Sequence, residues 1–557
     1  MALRHGRGRE HRSRSSALSR RAARRAANLR ALRLPTASIP ASPARRALLI
    51  SLLASGCSSE SGDLQGGWVG THPERGHRLR GDLPPGGWPL KKTDVVVVGA
   101  GIAGLACARA LTRRGIDDIA LLDLEDQAGG NSRGHTLAGA RCPLGAHYLP
   151  LPGPQAPEVS QLLAELGLSR QLLGRTEWDE RHLCHAPQER LFIDGEWHEG
   201  LLPPPESPAA REQYRRFSAL VAQAQRQLGF AMPTRRARWT PGHAALDAQT
   251  FATWLDANAL TDTRLRWYLD YCCRDDFGAG AATVSAWAGL HYFASRHGFH
   301  APGDEAGERE PVLTWPEGNG WLSARLAEPL RERIHLGRVV LRVTEQKHGV
   351  ELLAWNEATG ATERWQARAV VLATPLFIAA RLLAAPPDAL RQAAGQFSYA
   401  PWLTANLALR EELLTRPGAP PAWDNVRYGT TALGYVDARH QSLDPTPRPP
   451  VLTAYFTLTA AQRGELLQQP WQHWAKFVSD ELARTHPDLP AKLARIDLCR
   501  FGHAMSIPTP GLRSSAALAA LNGARGRIAL AHADLAGYSV FEEAYTAGVE
   551  AAARIRL

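Results

Sequence analysis

The glycine run at residues 99–104 constrains this chain more than any other feature. It follows a β-branched segment at residues 94–98 and precedes a helical pattern over residues 105–114. A second apolar run then ends at Asp123. This order of strand, tight turn, helix, strand and acid is typical of a unit that binds a dinucleotide. The sequence therefore predicts an α/β fold around a buried parallel sheet.

Each residue of the glycine run has a physical task. Gly99 permits the tight turn, Gly101 lets the backbone approach a pyrophosphate, and Gly104 lets the helix pack closely on the strand. The phosphates are expected at the helix start, next to Ile102 and Ala103, because unpaired N–H groups and the helix dipole favour anions there.

Asp123 lies 24 residues after Gly99, at the end of the second strand. Its carboxylate is expected to accept hydrogen bonds from the ribose hydroxyls of an adenosine, and it would repel a 2′-phosphate. This unit alone fits NAD as well as FAD, so an NAD-dependent dehydrogenase stays open as an alternative.

A glycine pair favours FAD. Gly129 and Gly130 follow Asp123 by six and seven residues. This spacing resembles the FAD signature of the flavin amine oxidase, protoporphyrinogen oxidase and phytoene (carotenoid) desaturase superfamily. The resemblance implies that the pair approaches the pyrophosphate of FAD. Asn131 stands where an arginine is usual, so the phosphate contact there is expected to be a hydrogen bond, with Ser132 as a further donor.

The resemblance extends to the middle of the chain. Residues 143–148 resemble a family segment in which a glycine, here Gly145, lets the backbone lie along the flavin ring. Residues 315–322 resemble the helix start that returns the chain to the FAD domain. The resemblance further implies that Val340 meets the adenine and that Ala373 ends the strand that closes this half of the domain.

The C-terminal part carries the resemblance as well. A strand at residues 526–531 is followed by Asp534 and then by a helical pattern. Ser539 and Glu542 have the spacing of a capping box, which predicts a helix start at that point. The resemblance implies that Asp534 binds the ribityl-phosphate region. It also implies that N–H groups near Val540 face the flavin N1–C2 carbonyl, where a helix N-terminus stabilises the anionic reduced ring.

A chain of 557 residues is expected to form two domains. The resemblance implies a Rossmann-like FAD-binding domain of the glycine-pair type with an inserted α+β substrate domain. The predicted boundaries are an export signal over 1–57, a linker over 58–89, an FAD-binding domain over 90–155, 310–395 and 500–557, and a substrate domain over 156–309 and 396–499.

His147 and His503 are the candidate catalytic residues, because each flanks a segment expected to approach the flavin ring. A packed structural role is the alternative for both. Lysine is scarce, and none of the lysines stands where the amine oxidases of this family keep a lysine that faces the flavin. This absence argues against amine oxidation itself.

The predicted function is oxidation of a C–N or C–C bond of a small organic substrate by an FAD-dependent oxidase or dehydrogenase, with an unknown electron acceptor. Two alternatives remain. One is an isomerase or cyclase that uses FAD without net redox turnover, and the other is an exported protein that binds FAD without catalysis.

The net excess of positive charge lies in the first 46 residues of the chain. Residues 1–46 hold thirteen arginines and a single acid, whereas the whole chain has a net charge of +11. The rest is therefore nearly neutral, which argues against a surface for nucleic acid. The seven cysteines show neither a CxxC pair nor ligand spacing for a metal, so no metal site is expected.

The front also carries the order of an export signal. Arg45 and Arg46 precede an apolar run at residues 47–54, which ends shortly before Cys57. The run is far shorter than the ~20 residues of a membrane-spanning helix. The pattern resembles a twin-arginine signal with a lipobox, although Ala54 stands where leucine is commoner. The resemblance implies an exported, periplasmic protein with a lipid anchor at Cys57; an arginine-rich tail with a chance apolar patch is the alternative.

Overall fold

The computed structural model describes residues 64–557, except for residues 84–85, 87, 297, 304–310 and 524–525. The predicted export signal, including Arg45, Arg46 and Cys57, lies outside the described residues. Within the described ranges, no helix has the length and apolar character needed to cross a membrane.

The strands occur in short runs that are separated by helices. In chain order the strands are β1 (Gln65–Trp68), β2 (Leu90–Val98), β3 (Ile119–Leu122), β4 (Gly134–Leu137), β5 (Ala140–Pro143), β6 (Tyr148–Pro150), β7 (Ser169–Leu172), β8 (Arg175–Trp178), β9 (Glu189–Ile193), β10 (Glu196–Glu199), β11 (Val312–Thr314), β12 (Ile334–His335), β13 (Arg338–Gln346), β14 (Gly349–Asn356), β15 (Ala361–Leu372), β16 (Ser398–Leu409), β17 (Asp424–Arg427), β18 (Gly434–Asp437), β19 (Val451–Thr457), β20 (Leu493–Ile507) and β21 (Ile528–Leu530).

The helices lie between these runs of strands along the chain. In chain order they are α1 (Pro73–His77), α2 (Ile102–Arg113), α3 (Pro157–Glu165), α4 (Pro208–Leu228), α5 (Pro241–Asp247), α6 (Phe251–Ala257), α7 (Thr263–Phe277), α8 (Ala286–Ala294), α9 (Gly320–Ala327), α10 (Leu376–Leu382), α11 (Asp388–Gln396), α12 (Arg463–Gln468), α13 (Trp471–Ala483), α14 (Leu489–Lys492), α15 (Ala516–Leu521) and α16 (Phe541–Arg554).

A seven-stranded sheet forms the centre of the predicted FAD-binding domain. Strands β12, β3, β2, β15 and β21 run parallel, and β14 and β13 extend the sheet in antiparallel pairs. Val95 and Val97 of β2 point into one hydrophobic core, whereas Val96 and Val98 point into the core on the opposite face. A strand covered on both faces needs such a continuous apolar run, and the predicted α/β fold is confirmed.

Glycine allows two close contacts of helices in this domain: α2 packs on the turn that precedes it, and α16 packs on α2. A Cβ at Gly104 of α2 would overlap the carbonyl oxygen of Gly99. A Cβ at Gly548 of α16 would overlap the carbonyl oxygen of Ala103. The chain therefore brings the start of α2 and the C-terminal helix within backbone contact of each other.

The second sheet has eight strands in the order β1-β20-β16-β19-β18-β17-β9-β10. It departs from the predicted boundaries in two places. Strand β1, within the predicted linker at 58–89, pairs parallel with β20. Strand β20 runs through the boundary predicted at residue 500, because it pairs with β16 over most of its length. A domain boundary cannot fall inside a continuous ladder of hydrogen bonds.

Helices α4 to α8 pack on the eight-stranded sheet in one large hydrophobic core. This core also includes residues of β17 and β19 and the loop that precedes α16, where Tyr538 is fully buried. Tyr148 and Val540 pack against the same core. The arrangement places the segment after Gly145 and the start of α16 next to the substrate domain.

Candidate functional site

The glycine run forms the turn that the sequence predicts. Gly99 has a φ of +101°, and its N–H donates to the Leu122 carbonyl oxygen over 2.8 Å. Helix α2 begins at Ile102, and no side chain caps its start. An anion is the natural partner for the first amides of such a helix.

The glycine pair packs directly on this turn. Gly129 pairs with Gly101 as an isolated β-bridge, and its N–H donates to the Ala100 carbonyl oxygen over 2.8 Å. A Cβ at Gly130 would lie 3.2 Å from the Cα of Gly101. Two loops therefore present backbone, free of side chains, to the same place. This cradle fits the pyrophosphate of FAD.

Asp123 lies beside the cradle. Its Oδ2 accepts the Ala100 N–H over 2.6 Å, and its Oδ1 accepts the Glu125 N–H over 2.8 Å. Burial raises the pKa of this carboxyl, although the side chain keeps some exposed area. Asp123 is therefore held next to the glycine loops with part of its side chain accessible, as a ribose ligand requires. The hydrogen bonds to ribose remain a prediction.

Asn131 and its neighbours are held in place by other strands. Asn131 Nδ2 donates to the Ala504 carbonyl oxygen over 2.6 Å, so this donor is already used by β20. Ser132 is buried, and its carbonyl oxygen accepts from Ser323 Oγ over 2.6 Å. Arg133 is not among the predicted residues, yet its Nε donates to the Gly130 carbonyl oxygen over 2.7 Å. The only available signal was its position, three residues after the glycine pair.

The segment at residues 143–148 leads from the cradle into the substrate domain. A Cβ at Gly145 would overlap the Asn131 carbonyl oxygen, which also accepts the Ala146 N–H over 2.9 Å. On the other side, Thr314 Oγ1 donates to the His147 carbonyl oxygen over 2.7 Å. The backbone is thus fixed from both sides, and glycine is required at position 145.

His147 opens a group of aromatic side chains that we call the aromatic cluster. Its ring stacks on Tyr455 with centroids 4.3 Å apart and lies 5.4 Å from Trp423 and 5.1 Å from Tyr148. Burial lowers the pKa of His147 to about 3, so the ring is neutral at neutral pH. The full cluster consists of His147, Tyr148, Tyr268, Tyr271, Tyr292, Trp423 and Tyr455.

Two carboxyl groups, of Asp275 and Asp424, lie next to this cluster. The Tyr148 hydroxyl donates to Asp275 Oδ2 over 3.2 Å. Burial, followed by the neighbouring charge of Asp276, raises the pKa of Asp275 to about 7. Burial, followed by the charges of Glu189 and Asp275, raises the pKa of Asp424 well above its usual range.

The two aspartates are only partly buried. Asp275 and Asp424 keep some exposed area, as do Tyr148 and Tyr292, yet burial is the largest cause of each pKa shift. The charge of Asp275 raises the pKa of Asp424. A cation close to these carboxyl groups would therefore be favoured.

The structure separates the two candidate histidines. His503 packs against Phe377 and Tyr399, with ring centroids 4.8 and 5.9 Å apart. The Tyr399 hydroxyl donates to Asp534 Oδ2 over 2.6 Å. His503 is exposed in part, yet desolvation by the residues packed against it lowers its pKa to about 4. His503 therefore lies with Asp534, which the sequence assigns to the ribityl-phosphate region, whereas His147 lies in the aromatic cluster.

Asp534 and the start of α16 differ from expectation in detail. The Asp534 side chain is fully buried, and its Oδ2 also accepts the Leu376 N–H over 2.9 Å. The predicted capping box is wrong: α16 begins at Phe541 without a side-chain cap. The Ser539 hydroxyl instead lies 3.1 Å from that of Ser506, because β20 passes within reach of it.

Val340 and Ala373 lie on the sheet as predicted. Val340 is buried on β13 at a shift in strand register, and the Ala373 N–H donates to the Val98 carbonyl oxygen over 2.8 Å. The adenine contact of Val340 remains a prediction. Within the described ranges, no group of three or more His, Cys, Asp or Glu side chains is arranged to hold a metal ion.

A surface cavity of about 310 Å³ lies outside this site. Its walls include Trp315, Glu317 and Trp321, together with arginines of neighbouring loops. Trp315 and Trp321 stack with centroids 4.7 Å apart. None of the lining residues belongs to the aromatic cluster, so this cavity is not the candidate reaction site.

Known proteins are similar to this chain in sequence or in fold. A sequence model for the family described as "Flavin containing amine oxidoreductase" matches residues 102–556. An L-amino acid dehydrogenase of Synechocystis sp. (strain ATCC 27184 / PCC 6803 / Kazusa) is 26% identical over 301 residues, which are 54% of this chain and 59% of that protein. The chain thus spans less than two thirds of the length of this curated relative.

Solved structures match more of the fold. The structure of putrescine oxidase bound to putrescine has a TM-score of 0.61 at 19% identity and covers 84% of this chain and 99% of its own. Cyclohexylamine oxidase from Brevibacterium oxydans IH-35A also has a TM-score of 0.61 at 19% identity, covering 83% of this chain and 98% of its own.

Proposed function

Because the chain belongs to the flavin-containing amine oxidoreductase family, we propose that it oxidises the C–N bond of a small amine, as a dehydrogenase or an oxidase. FAD is the cofactor of this family, and the backbone cradle of Gly99, Gly101, Gly129 and Gly130 fits it. The names of the relatives favour a C–N over a C–C bond, since they act on an amino acid, putrescine and cyclohexylamine.

The observation that carries this proposal is the Tyr148–Asp275 pair within the aromatic cluster. Amine oxidation requires a neutral amine, so the ammonium form of the substrate must lose a proton first. A base with a pKa near 7 accepts that proton at neutral pH, and the pKa of Asp275 is raised to about 7. The hydroxyl of Tyr148 orients the accepting carboxylate.

The cluster also explains recognition of a cation. Ammonium groups are attracted to the faces of tyrosine and tryptophan rings, and burial strengthens the attraction. Asp275 on α7 and Asp424 on β17 are the carboxyl groups next to these rings, and the charge of Asp275 acts on Asp424. The ring of His147 is neutral and stacks on Tyr455.

The reaction is divided between protein and cofactor. Bound FAD supplies the acceptor for the hydride equivalent that leaves the carbon next to the amine. Asp275 takes the proton from nitrogen, and the aromatic side chains hold that carbon in place. No lysine is needed for these tasks: Lys91 pairs with Glu363 and Lys492 with Asp488, both outside the aromatic cluster.

The test is anaerobic bleaching of the purified full chain. Visible absorbance and the compound released on denaturation report FAD. Amines, diamines and amino acids are then added one at a time, and the flavin band is followed against product. Stoichiometric bleaching supports the proposal. A product that forms only on prereduced protein, without net bleaching, would indicate the isomerase or cyclase alternative, and a protein that binds no FAD would contradict both.

We also propose that the chain is exported to the periplasm through a twin-arginine signal and is anchored by a lipid at Cys57. The support is sequence alone: the arginine pair, the short apolar run and the cysteine. Replacing Arg45 and Arg46 by lysine is expected to abolish export, whereas the same change at Arg20 and Arg21 is a matched control that leaves it intact. A mature protein that starts at Met1 would contradict the proposal.

A further inference from the structure

Residues 69–80, between β1 and β2, form a segment that we call the strap. Its first part is attached to the eight-stranded sheet, because the Val69 N–H donates to the Leu498 carbonyl oxygen of β20 over 2.8 Å. Its last part is attached to the seven-stranded sheet, where Cζ of Arg78 lies 4.6 Å from the centre of the Trp355 ring of β14. The strap therefore joins the two sheets, and it precedes the residues that the family model matches.

Between these attachments the strap contacts residues 124–133, which we call the cradle loop because they carry the glycine pair. The His72 N–H donates to Glu125 Oε1 over 3.2 Å, and His72 Nδ1 lies 2.7 Å from Glu125 Oε2. The Glu125 N–H in turn donates to Asp123 Oδ1 over 2.8 Å. The strap therefore fixes the residue whose backbone orients Asp123.

Arg133 connects the strap to the glycine pair. Its Nη1 donates to the Gly70 carbonyl oxygen of the strap, and its Nε donates to the Gly130 carbonyl oxygen over 2.7 Å. The Arg133 side chain is only 3% exposed, and Glu125 Oε2 lies 3.8 Å from Nη1 as the opposite charge. A buried guanidinium is costly unless its partners stay in place. The strap thus reaches the cradle on both sides, through Glu125 and through Arg133.

Arg75 holds the cradle loop from its outer side. Its Nη1 donates to the Leu124 carbonyl oxygen over 2.8 Å and to Asp126 Oδ1 over 2.7 Å, and its Nη2 donates to Asp126 Oδ2 over 3.1 Å. A bidentate contact between arginine and a carboxylate is both strong and specific in geometry, and it holds the pKa of Asp126 below its usual range. The Asp126 side chain is 62% exposed. Arg75 can therefore be replaced without a change in the residues that form the cradle.

The two loops of the cradle differ in how they are held. The turn at Gly99 connects β2 to α2, and the Gly99 N–H bonds the Leu122 carbonyl oxygen of the neighbouring strand. The cradle loop lies between β3 and β4 and belongs to neither of the two large sheets. A ligand held between the two loops leaves most easily when the loop outside the sheets moves. The strap acts on that loop.

We propose that the strap holds the cradle loop against bound FAD and thereby slows the release of the cofactor. His72 and Arg75 are positioning residues in this role, because they act on FAD through the cradle loop. The proposal requires FAD in the cradle, but it does not depend on which substrate the protein oxidises. By thermodynamic linkage, bound FAD must favour the strap on the loop by the same factor by which the strap favours FAD.

The first test measures the release of FAD from the full chain. The protein is loaded with radiolabelled FAD and chased with unlabelled FAD, and the label that stays with the protein is followed in time. Arg75→Gln is expected to release FAD about two- to tenfold faster, which is the effect of losing a typical hydrogen bond. Arg75→Lys keeps the charge without the bidentate contact, so its rate is expected to lie between those of Arg75→Gln and the wild type.

The matched control is Arg333→Gln. Arg333 also donates to a carbonyl oxygen and a carboxylate of the FAD-binding domain, both from Asp117, over 3.0 and 3.2 Å. Asp117 precedes β3, whereas the cradle loop follows the other end of that strand. Arg333→Gln is expected to release FAD within about twofold of the wild-type rate. A faster release in Arg75→Gln alone then reports the strap and not a general loss of stability.

The second test measures hydrogen exchange of the backbone amides by mass spectrometry, with and without FAD. The amides of residues 71–78 are expected to exchange more slowly in the FAD-loaded chain, because linkage requires that FAD favours the docked strap. This protection is expected to be smaller in Arg75→Gln. The largely exposed β7–β8 hairpin, residues 169–178, is the internal reference and should exchange equally in both states.

The outcomes separate the strap from the reaction. Faster release in Arg75→Gln than in Arg333→Gln, together with FAD-dependent protection of the strap, supports the proposal. Equal release rates in Arg75→Gln and the wild type, or equal exchange of the strap with and without FAD, overturn it. A wild type that binds no FAD overturns it together with the cofactor assignment, whereas bound FAD that no amine bleaches contradicts the proposed function alone.

Discussion

The hydroxyl of Tyr148 donates a 3.2 Å hydrogen bond to Oδ2 of Asp275. Tyr148 comes from the segment that the glycine cradle fixes, and Asp275 comes from α7 of the substrate domain. The bond thus connects the part of the chain that is predicted to follow the flavin ring with the candidate base. The first predictions concern this pair.

Asp275→Asn is expected to slow anaerobic bleaching by about 10²-fold or more, because the candidate base is lost. In the wild type, the bleaching rate is expected to increase as the pH rises through about 7, since burial raises the pKa of Asp275 to about 7 and the ionised form is active. Stopped-flow rates between pH 5 and 9 measure both effects. Asp256→Asn, at an exposed ion pair with Arg266, is the control and should stay within about twofold.

Tyr148→Phe is expected to move the pH midpoint of bleaching upward. The hydrogen bond from Tyr148 lowers the pKa of Asp275, against burial and Asp276, which raise it. Without the hydroxyl, a higher pH is needed to ionise Asp275. Tyr214→Phe, which loses a hydroxyl bonded to the Pro203 carbonyl oxygen outside the cluster, should leave the midpoint unchanged. An unchanged midpoint in Tyr148→Phe would show that Asp275 does not set the pH dependence of the bleaching rate.

Asp275→Asn is also expected to raise the melting temperature at pH 8 more than at pH 4. The folded-state pKa of Asp275 is raised above its unfolded value, so the stability that the protonated group provides is lost as the pH rises to about 7. The neutral amide removes this loss. Thermal unfolding followed by circular dichroism measures this difference in melting temperature. An equal effect at both pH values would show that ionisation of Asp275 does not lower the stability of the folded protein.

Gly145→Ala is expected to lower the FAD content of the purified protein, because the added Cβ would overlap the Asn131 carbonyl oxygen and push the segment towards the cofactor. Gly153→Ala is the control, since nothing lies within 4 Å of its added Cβ. The ratio of flavin to protein absorbance measures the effect. Equal FAD content in the two variants would contradict a close approach of backbone and flavin at Gly145.

Gly548→Ala is expected to destabilise the fold by ~1–3 kcal/mol, because the added methyl overlaps the Ala103 carbonyl oxygen where α16 crosses α2. Alanine elsewhere in a helix is favoured over glycine by ~1 kcal/mol. Gly395→Ala in α11, with open space around its Cβ, should therefore stabilise the fold. Urea unfolding of the two variants compares them, and a stabilised Gly548→Ala would refute the tight crossing.

The cofactor cradle could be predicted because its determinants are local. A backbone that must turn at Gly99 and approach another backbone at Gly129 excludes side chains, and the sequence records this as glycine. The position of Asp123 could be predicted because this residue directly follows the apolar run of one strand. The capping box at Ser539 failed for the opposite reason: its hydroxyl had a competing partner, Ser506, in a strand distant along the chain.

The candidate base could not be found from the sequence. Asp275 is one of two adjacent acids in a helix, and its neighbour Asp276 pairs with Arg296. Nothing in their local pattern tells which one faces solvent, an ion pair or a cavity. The difference arises from burial by distant segments and from Tyr148, more than a hundred residues earlier, whose hydroxyl bonds Asp275.

The sequence by itself determined the α/β fold, the glycine cradle and the family, because backbone geometry and strand periodicity act over a few residues. The tertiary structure alone decided that His147 and His503 lie in different places, that the charge of Asp275 acts on Asp424, and that His291, Tyr538 and Glu543 are joined by hydrogen bonds. Burial and the distance between charges set these properties, and both depend on how distant segments pack.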